Sequence, residues 1–246
     1  MVKPRSKRLD EIAFERGWAE TPERAKALVM AGRVRVDGAT VHQPFQLIGM
    51  ADRVELAPLS QYVSRGGEKL GPALLEFGIA VEGRICADVG ASTGGFTDVL
   101  LQRGALLVYA VDVGRGQLAW RLRQDRRVVV MEGVNARHLE GFPEPVGLFT
   151  VDLSFIGLEQ VLPRLRQISS RAELVVLFKP QFQLPRAQVE RGGVVRDAAL
   201  VEQALEEFAE WCVRNGFQPR GRLPSALPGR AGNQEYLFWL QAEAEA

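Results

Sequence analysis

The sequence predicts a doubly wound α/β sheet preceded by a small α+β module, and three observations carry that prediction. From about residue 83 onward, apolar runs alternate with amphipathic stretches, as expected for parallel strands covered by helices on both faces. A glycine-rich turn follows the first of these runs, in Gly90-Ala91-Ser92-Thr93-Gly94-Gly95. Residues 1–57 carry a different pattern, two short helical stretches and then a hairpin-rich set of strands. The chain of 246 residues is 46% hydrophobic and 25% charged, with 25 Gly and 13 Pro and a mean hydropathy of −0.06. That composition excludes a disordered or fibrous chain, and the length suits a medium domain joined to a small one.

In the small module, Leu9, Ile12, Ala13 and Arg16 share one helical stripe that stops at Gly17. Thr21-Pro22-Glu23 starts a second helix with a capping hydroxyl, a proline in the first turn and an acid near the positive end of the helix dipole. Ala25, Leu28 and Val29 continue it at i, i+3, i+4, and Gly32 ends it. Arg33-Val34-Arg35-Val36 alternates polar and apolar, Asp37-Gly38 predicts a hairpin turn into Ala39-Thr40-Val41, and Arg53-Val54-Glu55-Leu56 predicts another short strand. Pro58 through Gln61 read as a linker, residues 58–82 as the linker and start of the next domain, and residues 83–246 as the large domain. The net charge is only +1, but residues 1–35 hold nine Lys/Arg against five acids. A basic segment on an otherwise neutral chain hints at nucleic acid; a solvated basic face is the plainer alternative. The chain ends in a short acidic tail, Ala242-Glu243-Ala244-Glu245-Ala246.

In the large domain the expected strands are 85–89, 107–111, 128–131, 148–151, 174–178 and 236–240, with helices over 96–103, 158–168 and 198–214. The glycine turn has the spacing G-x-x-x-G-G, which is neither the G-x-G-x-x-G of a dinucleotide site nor a phosphate-cradling G-K-[ST] loop. Asp88 precedes the turn, where its carboxylate can hold a cationic ligand or brace the turn. Asp112 ends the second strand, placed to accept hydrogen bonds from a ribose, and Asn135 follows the third, facing an adenine edge. An acidic, glycine-rich pocket without a phosphate cradle suits S-adenosylmethionine, which carries a sulfonium and no phosphate. Asp88, Gly90, Ser92, Gly94, Gly95, Phe96, Asp112 and Asn135 are the positions expected to bind it.

Asp152-Leu153-Ser154-Phe155 follows the fourth strand, at the carboxyl edge where ligands bind in such sheets. It lacks the Asn/Asp-Pro-Pro-aromatic pattern of amine methylation, which counts against an amine and favours a hydroxyl acceptor. Lys179-Pro180-Gln181-Phe182 closes the fifth strand, and a lysine at a buried strand end is costly unless functional, paired or partly neutral. Lys69 lies in Val63-Ser64-Arg65-Gly66-Gly67-Glu68-Lys69-Leu70, and Glu235 opens the last strand. With only Cys86 and Cys212, and only His42 and His138, neither a disulfide scaffold nor a metal cluster is expected. No long apolar run suggests a membrane span, and no apolar h-region follows the basic N-terminus. The cytoplasm is the expected compartment.

Arg8-Leu9-Asp10, the Ala25…Leu28…Gly32 helix and the turn at Gly32-Arg33-Val34-Arg35-Val36-Asp37-Gly38 resemble the S4 RNA-binding domain. Lys7, Arg8, Arg24, Lys26, Arg33 and Arg35 would give it a basic face for phosphates. Ser64-Arg65-Gly66-Gly67, Asp88 through Thr97, Val151-Asp152-Leu153-Ser154-Phe155-Ile156 and Lys179-Pro180-Gln181-Phe182 extend the likeness over almost the whole chain. In that order they resemble the TlyA family, an S4 domain fused to an FtsJ-like ribose 2′-O-methyltransferase on a Rossmann-like sheet. The resemblance implies S-adenosylmethionine as cofactor and ribosomal RNA as substrate. It also maps the family's Lys-Asp-Lys-Glu catalytic set onto Lys69, Asp152, Lys179 and Glu235. Two positions depart from the expected pattern: Glu68, where an apolar residue is expected, and Gln183, where an acid is expected.

The residue types are chemically coherent on their own. A ribose hydroxyl is a poor nucleophile, so attack on a sulfonium methyl needs alignment and proton removal. Lys179 serves as base only if its pKa falls well below the free value of about 10.4; burial and the second cation Lys69 push that way, and Asp152 opposes. Asp152 is thus expected to position Lys179 and the acceptor, Glu235 to orient Lys69 or the ribose, and Arg65 to hold a phosphate of the target nucleotide. A structural ion network is the bland alternative for the four. Two other functions compete: an RNA-binding protein that keeps the fold without catalysis, and a membrane-active haemolysin, the label some relatives carry. The second finds no transmembrane span and no long cationic amphipathic helix in the sequence.

Overall fold

The computed structural model describes residues 6–49, 51–57 and 61–244. Residues 58–60 of the expected linker, Lys3 and Arg5 of the basic segment and the last two residues of the acidic tail lie outside the described residues. The chain divides into two compact units, Met1–Gln61 and Tyr62–Ala246.

The first unit runs β1 (Lys7–Arg8), α1 (Leu9–Glu15), α2 (Pro22–Met30), β2 (Val34–Val36), β3 (Ala39–Val41), β4 (Leu47–Ile48) and β5 (Val54–Leu56). Strand β2 lies between β3 and β5, antiparallel to both. Asp37 and Gly38 both take positive φ, 51° and 80°, the conformation a two-residue hairpin turn requires to match strand twist. The Thr21 hydroxyl accepts a hydrogen bond from Arg24 N at 3.2 Å, capping α2 as its sequence predicts. Leu9, Ala13, Ala25, Val29, Val34 and Ile48 close the core of this unit. The two-residue pair β1–β4 is too short to have been legible from alternation.

The second unit runs α3 (Arg65–Glu76), β6 (Ile85–Val89), α4 (Gly95–Gln102), β7 (Leu107–Asp112), α5 (Trp120–Arg123), β8 (Val128–Glu132), β9 (Leu148–Val151), α6 (Leu162–Ile168), β10 (Glu173–Phe178), α7 (Pro180–Gln183), α8 (Ala198–Arg214), β11 (Phe217–Pro224) and β12 (Tyr236–Ala242). Its seven strands lie in the order β11-β12-β10-β9-β6-β7-β8. Strands β6 to β10 are parallel, and β12 and β11 complete the edge in antiparallel fashion. Alternate residues of a strand feed opposite faces: Val176 and Phe178 pack with α8 residues Leu205 and Phe208, whereas Val175 and Leu177 pack on the side of Leu70, Val99 and Leu100. Burial on both faces is the reason these strands read as unbroken apolar runs.

Three of the departures from the sequence reading have a clear local cause. The expected helix over 158–168 is broken into a 3-10 turn at Leu158–Gln160 and α6, because Pro163 has no N–H and can only sit in a first helical turn. Strand β11 was not expected, since Pro219, Gly221 and Pro224 interrupt it; it is an edge strand with a register shift between Pro219 and Gly221, the place where a sheet accepts prolines. Helix α3 was hidden by Gly66, Gly67, Gly71 and Pro72. Its glycines are a docking groove: a Cβ on Gly67 would overlap the Tyr62 ring, and one on Gly71 would come within 2.7 Å of the Tyr62 hydroxyl.

Helix α8 buries Val201, Ala204, Leu205, Phe208 and Cys212, and Asp197 Oδ1 caps it by accepting from Ala199 N at 2.9 Å and Leu200 N at 3.1 Å. Asp197→Ala is expected to cost about 1 kcal/mol, and Asp197→Asn much less, in urea unfolding of the full chain. An alanine variant as stable as the parent would show that the cap contributes nothing.

Candidate active site

Strand β6 is the pivot of the sheet. The chain leaves it toward β7 and β8 on one side, then crosses to β9 on the other. The loops after β6 and β9 therefore diverge at the carboxyl edge, where a doubly wound sheet opens its binding crevice. Gly90 N and Ala91 N both donate to Val111 O, at 2.8 and 3.1 Å, and Asp152 N donates to Val89 O at 2.9 Å. Gly90 takes φ 89°, and a Cβ there would collide with the carbonyl oxygen of Asp152. Gly94, at φ 95°, is the N-cap of α4, and a Cβ on it would overlap Leu122. The glycine turn is thus demanded by packing as well as by access.

Asp88 is fully buried. Its Oδ2 accepts from Thr97 N at 2.8 Å and from Thr97 Oγ1 at 2.7 Å, and its Oδ1 from Thr150 Oγ1 at 3.1 Å. It ties β6 to α4 and β9, so of the two roles its position allowed it takes the brace and not direct contact with a ligand. Burial is the main reason its carboxyl is pushed up to about 7, against the hydrogen bonds from Thr97 and Thr150. Asp112 accepts from Ser92 N and Gly114 N, each at 2.7 Å. Asn135 Oδ1 accepts from Arg137 N at 3.1 Å and starts the 3-10 turn Ala136–His138. The side chains of Asp112 and Asn135 hold backbone, outside the lining of the cavity described next.

A cavity of about 760 Å³ opens at this edge. Gly90, Ser92, Gly95 and Phe96 line it on the side of the turn, and Lys69, Asp152, Lys179 and Glu235 all line it as well. The four fall into two ion pairs: Lys179 Nζ lies 2.5 Å from Asp152 Oδ1, and Lys69 Nζ lies 2.5 Å from Glu235 Oε2. Lys179 and Glu235 are only 7% and 3% exposed, so each charge needs its partner to be tolerated there. Lys179 also donates to Ser154 Oγ at 3.0 Å, a partner to which the sequence alone assigns no role. Gln183, one of the two departures, accepts from Leu158 N at 3.0 Å and holds the 3-10 turn rather than the ion pairs.

Sequence reasoning also missed an aromatic pair. Phe155 is 90% exposed at φ 65°, unusual for a bulky residue, and its ring lies 4.9 Å from that of Phe182. Both rings line the cavity, as do Arg65 and Arg230. The only signal was that each aromatic ends a motif already singled out.

In the first unit the predicted basic residues are partly spoken for. Lys7 pairs with Glu15, Arg24 with Glu20, and Arg8 with Asp10, while Arg33 donates to Ala57 O at 2.8 Å. Arg35 is exposed. Arg8 and Lys26 lie over the half-exposed ring of Phe45, 4.2 and 4.9 Å from its centroid. A stacking surface flanked by cations suits a nucleic acid, and Phe45 was not anticipated. Among the described residues no helix is long and apolar enough to cross a membrane, and no cluster of three His, Cys, Asp or Glu side chains could hold a metal ion.

Residues 62–242 match the FtsJ-like methyltransferase family and residues 7–54 the S4 domain. The chain is 45% identical to the 16S/23S rRNA (cytidine-2′-O)-methyltransferase TlyA of Mycobacterium tuberculosis, over 98% of this chain and 92% of that one. It is 41% identical to Hemolysin A of Brachyspira hyodysenteriae, over 94% and 98%. A solved structure of a hemolysin-named protein of Streptococcus thermophilus is 42% identical, with a TM-score of 0.77 over 98% of this chain and 90% of that one.

The environment of Asp88 makes stability depend on pH. Its carboxyl has an ordinary value of 3.8 and is held at about 7 in the fold. Between those values the folded protein keeps a proton that the unfolded chain has released, so the group's contribution is full below about 4 and is lost as pH rises through about 7. The stability margin of the parent over Asp88→Asn, from urea unfolding, is therefore expected to shrink steadily from about pH 4 to about pH 8. A flat margin would show a carboxyl that ionises as it does in water, and a margin that grows with pH one held below its ordinary value.

Proposed function

The chain belongs to the FtsJ-like methyltransferases of the TlyA type, in which an S4 domain precedes the methyltransferase unit, and from that membership we propose that it methylates a ribose 2′-hydroxyl of ribosomal RNA with S-adenosylmethionine. The observation that carries this reading is the sharing of one cavity by the glycine turn and both lysine–carboxylate pairs. Relatives named as rRNA (cytidine-2′-O)-methyltransferases supply the substrate class.

The donor set fits the cofactor. The turn presents Gly90, Ala91, Ser92, Thr93 and Gly95 to the cavity, small side chains with no cation among them, which suits a ligand without phosphates. Gly90, Ser92, Gly95 and Phe96 would hold it, with Asp112 bracing the turn through Ser92 N and Asp88 keeping it in shape from beneath; Gly94 and Asn135 stand outside the lining. S-adenosylmethionine supplies an electrophilic methyl group on a sulfonium centre.

Every other step belongs to the chain. Once its ammonium has given up a proton, Lys179 would take the proton of the 2′-hydroxyl while the oxygen bonds to the methyl carbon and the carbon–sulfur bond breaks, its electron pair returning to sulfur. Asp152 and Ser154 fix its Nζ from two sides, and the Lys69–Glu235 pair holds the ribose in line, so that alignment is built in before the reaction. Phe155 and Phe182 offer stacking faces to the target base. The S4 domain contributes phosphate contacts through Arg8, Lys26 and Arg35, which give affinity with little sequence preference.

Lys179→Ala is expected to slow single-turnover methyl transfer to ribosomal RNA by about a hundred- to ten-thousandfold, with cofactor affinity by calorimetry close to that of the parent. Mapping of 2′-O-methyl groups on the treated RNA gives the position modified. Near-normal transfer by this variant would return the four charged residues to a purely structural role.

A further inference from the structure

Two arginines on the cavity lining have no carboxylate partner among the described residues, Arg65 and Arg230. The other charges there, Lys69, Glu235, Asp152 and Lys179, neutralise one another in pairs. Arg65 stands one helical turn before Lys69 on α3, on the same face of the helix. Its Nη2 donates to Pro228 O at 2.8 Å, which brings the loop before β12 onto α3. That loop passes directly over the carboxylate of Glu235, since a Cβ on Gly229 would collide with Glu235 Oε1. It is closed by Gly229 N donating to Asn233 O at 2.9 Å and by Gly232 N donating to Gly229 O at 3.0 Å. The buried Asn233 side chain pins it again, donating to Gly193 O at 2.7 Å and accepting from Val195 N at 2.8 Å. Arg230, which has no hydrogen bond or ion pair of its own among the described residues, is thus carried on a fixed backbone beside the Lys69–Glu235 pair.

We propose that Arg65 and Arg230 form a two-pronged clamp for the backbone phosphate adjoining the ribose that is methylated. This rests on the function proposed above. A guanidinium left unneutralised at a site calls for an anion, and its fork matches phosphate oxygens. Two anions would come near: an RNA phosphate and the carboxylate of the cofactor's amino acid. Both arginines are exposed, and an exposed rim meets the backbone phosphates that flank a nucleotide entering the cavity, whereas the small cofactor lies within it. The phosphate is the occupant this placement favours.

The test uses the full chain with Arg65→Gln, Arg230→Gln and the double variant. Fluorescence anisotropy of a labelled ribosomal RNA fragment reads binding across salt concentrations, calorimetry reads S-adenosylmethionine affinity, and methyl incorporation reads activity. Each substitution is expected to weaken RNA binding by about five- to tenfold and to flatten the dependence of log affinity on log salt by about 0.7 for a single-stranded contact. Cofactor affinity should be unchanged. Arg230→Lys should keep the salt slope and lose part of the affinity, because the charge remains without the fork. An unchanged salt slope in Arg230→Gln overturns the clamp, as does a fall in cofactor affinity with RNA binding intact, which would assign the arginines to the carboxylate. If the parent transfers no methyl group to RNA but the variants still lose affinity and slope, the arginines hold an RNA phosphate, while the proposed activity, and with it the placement of that phosphate beside a methylated ribose, fails.

Discussion

The buried carboxylate of Asp88 holds together the three segments on which the site depends. It accepts hydrogen bonds from the backbone and hydroxyl of Thr97 on α4 and from the hydroxyl of Thr150 on β9, while standing on the central strand β6 itself. With no solvent around it, losing any of these donors would leave a polar group stranded in an apolar interior, the costly side of the hydrogen-bond balance. The start of α4, the end of β6 and the end of β9 are therefore constrained together. The glycine turn is suspended between them, and Asp152 follows two residues after Thr150. A group that would touch no ligand thereby governs where the ligand-facing backbone sits.

The charged cluster obeys a related constraint. Two lysines and two carboxylates in a largely buried cavity are tolerable only as pairs, and the structure sorts them so that each pair joins distant parts of the chain. Lys69 comes from α3 and Glu235 immediately precedes β12; Lys179 follows β10 and Asp152 follows β9. Pairing restrains both amines without filling the cavity. The same pairing that keeps the fold from being destabilised by buried charge also fixes the positions of both amines, so under the proposed reaction stability and chemistry make the same demand here. Arg65 and Arg230, without a carboxylate partner among the described residues, fall outside that balance.

The glycines divide between two kinds of constraint. Gly90 and Gly94 adopt left-handed backbone that a Cβ would strain, and neighbouring atoms leave no room for one. Gly67 and Gly71 are ordinary helical residues whose missing side chains make room for Tyr62. The first kind announces itself, because a glycine cluster after an apolar run reads as a turn. The second disguises a helix as a loop, which is why α3, which carries Lys69, could not be read from periodicity although its Leu70, Ala73 and Leu74 are buried on schedule.

Sequence by itself determined the parallel strands β6 to β10, the last strand, helix α8 and the turn chemistry of the small unit. These follow from local rules: continuous apolar runs, caps and hairpin dipeptides; the grouping of Lys69, Asp152, Lys179 and Glu235 came from resemblance to a family instead. Only the tertiary structure decided which side chains meet. It turned Asp88 inward as a brace, engaged Asp112 and Asn135 with backbone, placed Ser154 beside Lys179, exposed Phe155 and Phe45, and brought Arg230 to the same cavity as Arg65. The physical reason is that these outcomes depend on hydrogen-bond and charge partners far away in the chain, more than 160 residues in the case of Lys69 and Glu235. A pattern of neighbouring residue types specifies an element, but only the closed fold specifies the partner.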